Sequence, residues 1–125
     1  MSRSKILVVE DEPSVRQLCA DLLWNAGYDP IIATDGAEGL QIYRERCDEI
    51  HLIISDVVMP NKGGLEMAED VLRLRSDVNI LLMSGYGVPD VLPRQVSGIL
   101  PKPFAPKQLI DAVRRCLNRV SVPAF

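Results

Sequence analysis

The chain has 125 residues, of which 47% are hydrophobic and 25% charged, a size and composition that suit one globular domain and argue against disorder. Its net charge of −3 provides no basic surface for a phosphate backbone, so direct nucleic-acid binding is not expected, and no apolar run is long enough to span a membrane. Three cysteines, all in predicted helices, indicate thiols in a reducing cytoplasm rather than a disulfide framework.

Short apolar runs alternate with amphipathic segments along the chain, beginning with a run at 6–9 that predicts a buried strand. Pro13 then suits the first turn of a helix, and Gly27 can end that helix in a left-handed conformation. The apolar residues of this helix recur at three- and four-residue steps: Val15, Leu18, Cys19, Leu22, Leu23 and Ala26.

A second strand is predicted at 31–33, and Asp35 with Glu38 forms a capping-box pattern at the start of the helix that follows. The continuous apolar run 52–54 predicts a third strand buried on both faces, and a turn at 60–64 leads into another helix. The apolar stripes of these two helices are Ala37, Leu40, Tyr43 and Cys47 in the first, and Leu65, Ala68, Val71 and Leu72 in the second.

Runs at 78–83 and 99–100 predict the last two strands, and Pro106 opens the last helix. The stripe of that helix consists of Leu109, Ala112, Val113, Cys116, Leu117 and Val120. Strands and helices thus alternate with short connections, which predicts an α/β fold with a doubly wound, five-stranded parallel sheet, in a single domain covering 1–125.

Polar residues follow four of the predicted strands, namely Glu10 with Asp11, Asp56, Ser84 and Lys102. Because the carboxyl ends of parallel strands meet at one edge of a sheet, we expect these side chains to converge. A carboxylate such as Asp56 can there ligate a metal, act as a base or become an aspartyl phosphate. The acids favour Mg²⁺, while Lys102 and the Ser84 hydroxyl can stabilise a phosphoryl group that passes to a carboxylate oxygen.

These residues, in this order, resemble the receiver domain of two-component response regulators, which has a flavodoxin-like fold of five β/α repeats. The matching segments are 6–12, 54–60 with Gly64, 83–85 and 102–104. The resemblance implies that Asp56 accepts a phosphoryl group from a histidine kinase or a histidine phosphotransfer protein, with Mg²⁺ bound. The domain would then act on a downstream protein and reset itself by hydrolysis, and no enzyme activity beyond these self-catalysed steps is expected.

The same resemblance assigns roles to the other residues of the site. It implies that Mg²⁺ is held by Asp11 and Asp56 directly, by the backbone carbonyl of Val58, and by Glu10 through water. Ser84 resembles the switch hydroxyl that moves to meet a phosphoryl oxygen, and Lys102 resembles the lysine that binds that oxygen. The family also implies a cis peptide bond between Lys102 and Pro103, as suits an X-Pro bond in a tight turn.

Two features depart from the commonest members of that family. Ile99 stands where many receivers carry an aromatic residue, three positions before the lysine. The segment 85–98 contains two prolines and is short, so the fourth helix is expected to be shortened or irregular, and we hypothesise that this segment becomes more ordered on phosphorylation. Tyr86 and Val58 are expected to flank the water path to Asp56 and to tune the lifetime of its phosphate.

Two other classes of function stay open on the sequence. A phosphatase or phosphotransferase with a nucleophilic aspartate usually carries a second acid two residues further on, where this chain has Val58. A receiver-like interaction module that is never phosphorylated usually lacks one of the acids, the serine or the lysine, all of which are present here. The short segment before the first strand favours a stand-alone protein or an N-terminal position in a larger one, and the expected location is the cytoplasm.

Overall fold

The structure, a computed structural model, describes residues 3–85 and 96–118. Its strands are Lys5–Val9 (β1), Asp29–Ala33 (β2), Ile50–Asp56 (β3), Ile80–Ser84 (β4) and Gly98–Pro101 (β5). Its helices are Pro13–Asn25 (α1), Gly36–Arg46 (α2), Gly64–Leu74 (α3) and Pro106–Leu117 (α4). All the strands pair in parallel, in the order β2-β1-β3-β4-β5, which places β3 at the centre of the sheet.

Successive residues of the strands enter two different cores, because side chains alternate across a pleated sheet. On one face the sheet packs against α1 and α4, through residues that include Ile6, Val8, Ile54, Cys19, Leu23, Leu109 and Val113. On the other face it packs against α2 and α3, through residues that include Leu7, Val9, Ile53, Leu40, Tyr43, Met67 and Val71. Since helices cover both faces, the runs 6–9, 52–54 and 80–83 are continuously apolar and buried, as predicted for strands of this kind.

The predicted fold class, an α/β fold with a five-stranded, doubly wound parallel sheet, is confirmed. The predicted irregular fourth helix and its ordering on phosphorylation concern 85–98, most of which lies outside the described residues. Tyr86 also lies outside them. Within 3–85 and 96–118, no helix has both the length and the apolarity needed to cross a lipid bilayer.

The buried face of α1 is narrower than its apolar pattern predicts. Cys19 and Leu23 are buried, whereas Leu18 is 48% exposed and lies beside a surface cavity. In α3 the fully buried side chains include Met67, which the predicted stripe omitted, while Leu65 is only partly buried. An apolar arc on a helix is wider than the strip of sheet that one helix covers, so pattern alone overestimates burial at its margins.

The helix ends follow the predicted chemistry with two differences. Asp35 caps α2 by accepting a hydrogen bond from the Glu38 amide at 2.8 Å, but the Glu38 carboxylate accepts from Thr34 instead of completing the capping box at Asp35. Cys47, predicted within a helix, lies one residue beyond the end of α2. Pro13 begins α1, and Gly27 follows that helix with a φ of 99°, as predicted.

The packing predicts which cysteine reacts with a thiol reagent. Cys19 and Cys116 are buried, whereas Cys47 is partly exposed. Burial, assisted by the nearby charge of Glu10, raises the pKa of Cys19 to about 11, so its reactive thiolate is scarce at neutral pH. In the native protein we expect one rapid labelling phase with a colorimetric disulfide reagent. Cys47→Ser should abolish this phase and Cys19→Ser should preserve it; the reverse outcome would contradict the packing.

Candidate functional site

Three carboxylates meet at the carboxyl edge of the sheet. Glu10 and Asp11 directly follow β1, and Asp56 is the last residue of β3, the strand beside it. Each of the three offers an oxygen atom, and these oxygens lie within 4.8 Å of one another. Glu10 is fully buried, Asp56 is partly buried and Asp11 is exposed, so the cluster runs from the protein interior to its surface.

Lys102 brings a positive charge to this cluster from the edge of the sheet. Its Nζ donates to Glu10 Oε1 at 2.5 Å and to Asp56 Oδ2 at 2.9 Å. Lys102 follows β5, so its side chain crosses the end of β4 to reach both acids. Its backbone amide donates to the Ser84 carbonyl at 2.8 Å, and the predicted cis peptide bond joins it to Pro103.

Burial and ion pairing have opposite effects on the pKa values of Glu10 and Lys102. Burial raises the pKa of Glu10, and the negative charge of Asp56 adds to that rise, while hydrogen bonds from Lys102 and the Glu12 amide oppose it. Burial alone would lower the pKa of Lys102, but its hydrogen bonds to Glu10 and Asp56 outweigh that effect and raise it. Lys102 is therefore charged at neutral pH.

The Glu10 carboxylate and the backbone beside it have further partners that sequence reasoning did not identify. The Glu12 amide donates to Glu10 Oε2 at 3.1 Å. Arg16, one turn into α1, donates from Nη1 to the carbonyl of Glu10 at 2.9 Å and to that of Asp11 at 3.5 Å. The position of Arg16 shortly after two acids was the only sequence signal, and it is weak because most arginines lie on solvated surfaces.

A cavity of about 640 Å³ opens over the cluster. Its walls include the polar groups of Asp11, Asp56 and Lys102 together with Val15, Leu18, Val58, Gly85, Pro103 and Phe104. Val58 and Leu18 are 62% and 48% exposed, so the rim of the cavity offers apolar surface to solvent. The apolar pattern of α1 predicts Val15 and Leu18 as core residues, so their position beside the site, like that of Phe104, is not predicted from the sequence.

Two further predicted residues, Ser84 and Ile99, lie on the neighbouring strands β4 and β5. Ser84 is buried at the end of β4, where Met83 pairs with Asp56 in the sheet. Ile99, in β5, is half-buried and packs against the core on the α2–α3 face. One edge of the sheet therefore brings together the side chains of Glu10, Asp11, Asp56 and Lys102. Ile99, by contrast, packs in the core in this conformation.

The donor set fits a hard divalent cation. The three acids offer only oxygen atoms, and among residues 3–85 and 96–118 the ammonium group of Lys102 is the one cation paired with them. Oxygen-only clusters of this kind favour Mg²⁺, which binds through one or two carboxylates and keeps several waters. The carboxylate of Asp56 thus lies between a lysine and a site suited to a metal, an arrangement that can stabilise negative charge developing at the carboxylate.

Acids and a lysine gathered at the carboxyl ends of a doubly wound parallel sheet define a receiver-type α/β domain. A sequence model of the response regulator receiver domain matches residues 6–114. The chain therefore belongs to the response regulator receiver domain family, whose members are phospho-accepting signalling domains of two-component systems.

Three similar proteins illustrate the range of this family. Sensor kinase CckA of Brucella abortus is 34% identical over 119 residues, which are 91% of this chain and 12% of the kinase. The probable transcriptional regulator ycf27 of Porphyridium aerugineum is 35% identical over 127 residues, 96% of this chain and 50% of the regulator. The response regulator TrrA of Thermotoga maritima, solved in complex with Mg²⁺-BeF, has a TM-score of 0.84 at 30% identity, covering 94% of this chain and 100% of that one. The chain thus spans half or less of these curated relatives.

Gly64 gives a test of the close packing below Asp56. A Cβ added at Gly64 would lie 2.0 Å from the backbone oxygen of Asp56, whereas one added at Gly85 would lie 4.0 Å from the nearest atom in the described part of the chain, the Lys102 Cβ. We expect Gly64→Ala to lower the free energy of unfolding by at least about 2 kcal/mol, because the strand end has to move. Gly85→Ala serves as the control in urea denaturation, and equal stability of the two variants would contradict the packing.

Replacement of Asp11 tests whether the three clustered carboxylates repel one another. Asp11→Asn removes one of three clustered carboxylates and leaves both ion pairs of Lys102 in place. Without added metal, we expect the free energy of unfolding to rise by about 0.5 kcal/mol, because like-charge repulsion at a partly solvated site is relieved. Asp21→Asn removes the same charge from an exposed position on α1 and should give no such gain. A loss of stability in Asp11→Asn would show that the acids do not repel one another.

Proposed function

We propose that Asp56 is the residue of this receiver domain that accepts the phosphoryl group. One observation carries the proposal: Lys102 Nζ reaches past β4 to hold Asp56 Oδ2 at 2.9 Å, beneath a cavity lined by Asp56 and Asp11. A carboxylate held in this way is oriented toward the cavity before any donor arrives. Orientation of this kind lowers the barrier to an in-line transfer, because little remains to be arranged at the moment of reaction.

The metal site that we propose consists of Asp11 and Asp56, the backbone carbonyl of Val58, and Glu10 acting through water. The clustered carboxylate oxygens support it, as does the Mg²⁺-BeF complex of the related TrrA. When bound, Mg²⁺ would supply positive charge to the phosphoryl oxygens. The residues of the chain orient the acceptor and keep Lys102 protonated beside it, since the hydrogen bonds to Glu10 and Asp56 raise the pKa of the lysine.

The transfer itself exchanges one bond to phosphorus for another. The phosphorus–nitrogen bond of a phosphohistidine breaks as a phosphorus–oxygen bond to Asp56 forms, and the imidazole leaves with the electron pair. Lys102 then contacts a phosphoryl oxygen, and the Ser84 hydroxyl moves to meet another. Changing a two-state domain from almost wholly off to almost wholly on requires a differential of about 5.5 kcal/mol, which these contacts have to supply. Self-catalysed hydrolysis of the acyl phosphate resets the domain, with Val58 and Tyr86 tuning its rate.

The partners that we propose are a histidine kinase or a histidine phosphotransfer protein, and a downstream protein. The apolar rim of the cavity, with exposed Leu18 and Val58, supports docking of a protein surface directly over Asp56. We also propose that 1–125 forms one receiver domain, in keeping with the match over 6–114. The absence of a disulfide among the three cysteines supports a reducing, cytoplasmic location.

Acetyl phosphate and Mg²⁺ test the acceptor directly. We expect intact mass spectrometry to detect one added phosphoryl group, since the bond from phosphorus to acetate breaks as the bond to Asp56 forms. Asp56→Asn should remain unlabelled, and removal of Mg²⁺ with a chelator should suppress labelling of the unaltered protein.

The same experiment separates the competing classes of function. Label that persists in Asp56→Asn would move the acceptor to another residue. No label in either protein, with folding verified by circular dichroism, would favour an interaction module that is never phosphorylated. Continuous release of phosphate at a rate typical of a phosphatase would favour the enzyme, although Val58 stands where such enzymes place their second acid.

A further inference from the structure

The loop that follows Asp56 is attached to the start of a neighbouring helix. Asn61 Nδ2 donates to Asp35 Oδ2 at 2.9 Å, and the Gly36 amide donates to the Lys62 carbonyl at 3.0 Å. Asp35 and Gly36 are the cap and first residue of α2, whereas Asn61 and Lys62 lie between β3 and α3. The start of α2 and the loop after β3, which are far apart in sequence, are thus joined by two hydrogen bonds, a few residues beyond Asp56 in the chain.

Asn61 has a backbone conformation that is uncommon for residues other than glycine, so the contacts that hold it in place matter for the shape of the loop. Its φ of 65° is positive, and Asn61 is the one residue other than glycine with a positive φ in the described part of the chain. Asparagine tolerates this conformation better than most residues, but the conformation still has to be held by its surroundings. The hydrogen bond to Asp35 holds the side chain of the residue at which the loop bends.

The backbones of the loop and helix α2 are also in close contact. A Cβ at Gly36 would lie 2.5 Å from the Lys62 carbonyl oxygen, so only glycine allows the helix to approach the loop this closely. On its other side, the Lys62 ammonium forms an ion pair with Asp70 of α3. The second half of the loop is therefore held by two helices at once.

The first half of the loop is hydrogen-bonded at its start, through both backbone groups of Val57. The Val57 amide donates to the Met83 carbonyl at 3.0 Å, and the Val57 carbonyl accepts from the Gly64 amide at 2.9 Å. Between Val57 and Asn61 lies Val58, with a side chain that is 62% exposed, and its backbone carbonyl is the one assigned to the metal site above. The position of that carbonyl therefore depends on how firmly the bend at Asn61 is fixed.

We propose that the hydrogen bond between Asp35 and Asn61 is a brace that positions the backbone of residues 57–60 for Mg²⁺ binding. Asp35 and Asn61 are then positioning residues, which contact neither the metal nor the phosphoryl group. This inference rests on the proposed metal site and adds to it a pair of residues outside the acid cluster.

The two oxygens of Asp35 have separate roles, which allows the brace to be removed alone. Oδ1 accepts from the Glu38 amide and caps α2, and Oδ2 accepts from Asn61. Asp35→Ser keeps an oxygen for the cap and loses the second acceptor. Asn61→Gly removes the donor, allows the positive φ and leaves the net charge unchanged. Agreement between the two variants would therefore exclude charge as the cause.

Isothermal titration calorimetry with Mg²⁺ alone is the measurement. We expect each single variant to bind Mg²⁺ about threefold more weakly, the order of effect of one exposed hydrogen bond. The double variant should bind as weakly as either single variant and no weaker, because both changes remove the same bond. In the metal-free protein, amides in residues 57–62 should exchange faster in all three variants.

Gln41→Ala is the matched control, because it removes an exposed side-chain hydrogen bond of 2.8 Å, to Glu45, on the same helix. It should leave both the Mg²⁺ affinity and the exchange of the loop amides unchanged. Two outcomes would contradict the brace and leave the proposed metal site intact. In the first, all variants bind Mg²⁺ as tightly as the unaltered protein does; in the second, the effects of the two single variants multiply in the double variant. If the unaltered protein does not bind Mg²⁺, the metal site fails and the brace fails with it.

Discussion

The ammonium group of Lys102 stabilises a carboxylate that the fold removes entirely from water. Glu10 is fully buried, and an unpaired charge in such a position costs several kcal/mol. The lysine forms ion pairs with both Glu10 and Asp56. Asp11 extends the cluster of acids to the surface. The negative charge that Lys102 does not balance makes the site suitable for a cation. An excess of carboxylates over ammonium groups is a local conflict of the kind that proteins retain at functional positions.

Close backbone packing surrounds this electrostatic centre. Gly64 and Gly36 stand where an added Cβ would collide with the carbonyls of Asp56 and Lys62, so the segment after β3 lies directly against α3 and α2. The cis bond before Pro103 likewise accompanies the turn from which Lys102 reaches into the site. Charged groups are thus carried on backbone that neighbouring elements hold firmly, while the apolar rim of Leu18 and Val58 stays open to solvent. The charged groups and this apolar rim are therefore adjacent parts of one cavity.

Relatives of this chain include part of a sensor kinase and part of a probable transcriptional regulator, so the same domain occurs in proteins of different organisation. The similarity to this chain covers the receiver domain, which is 12% of the kinase and 50% of the regulator. Ile99 illustrates how details vary within that common frame: it packs half-buried against the α2–α3 core, where many receivers carry an aromatic ring. A conformational change transmitted through residue 99 would therefore have to repack an aliphatic side chain.

The sequence by itself determined the order of strands and helices, the fold class and the residues of the acid cluster. It did so because strands buried on both faces are continuously apolar, and because parallel strands bring their carboxyl ends to one edge. Only the tertiary structure decided that Lys102 bonds Glu10 as well as Asp56, that Arg16 binds the neighbouring backbone, that Leu18 is exposed and that Asn61 joins Asp35. The contacts of Lys102 and Asn61 join residues distant in the chain, and the Arg16 contact depends on where α1 lies against the end of β1. The exposure of Leu18 depends on how much of α1 its neighbours cover, and local pattern records none of these properties.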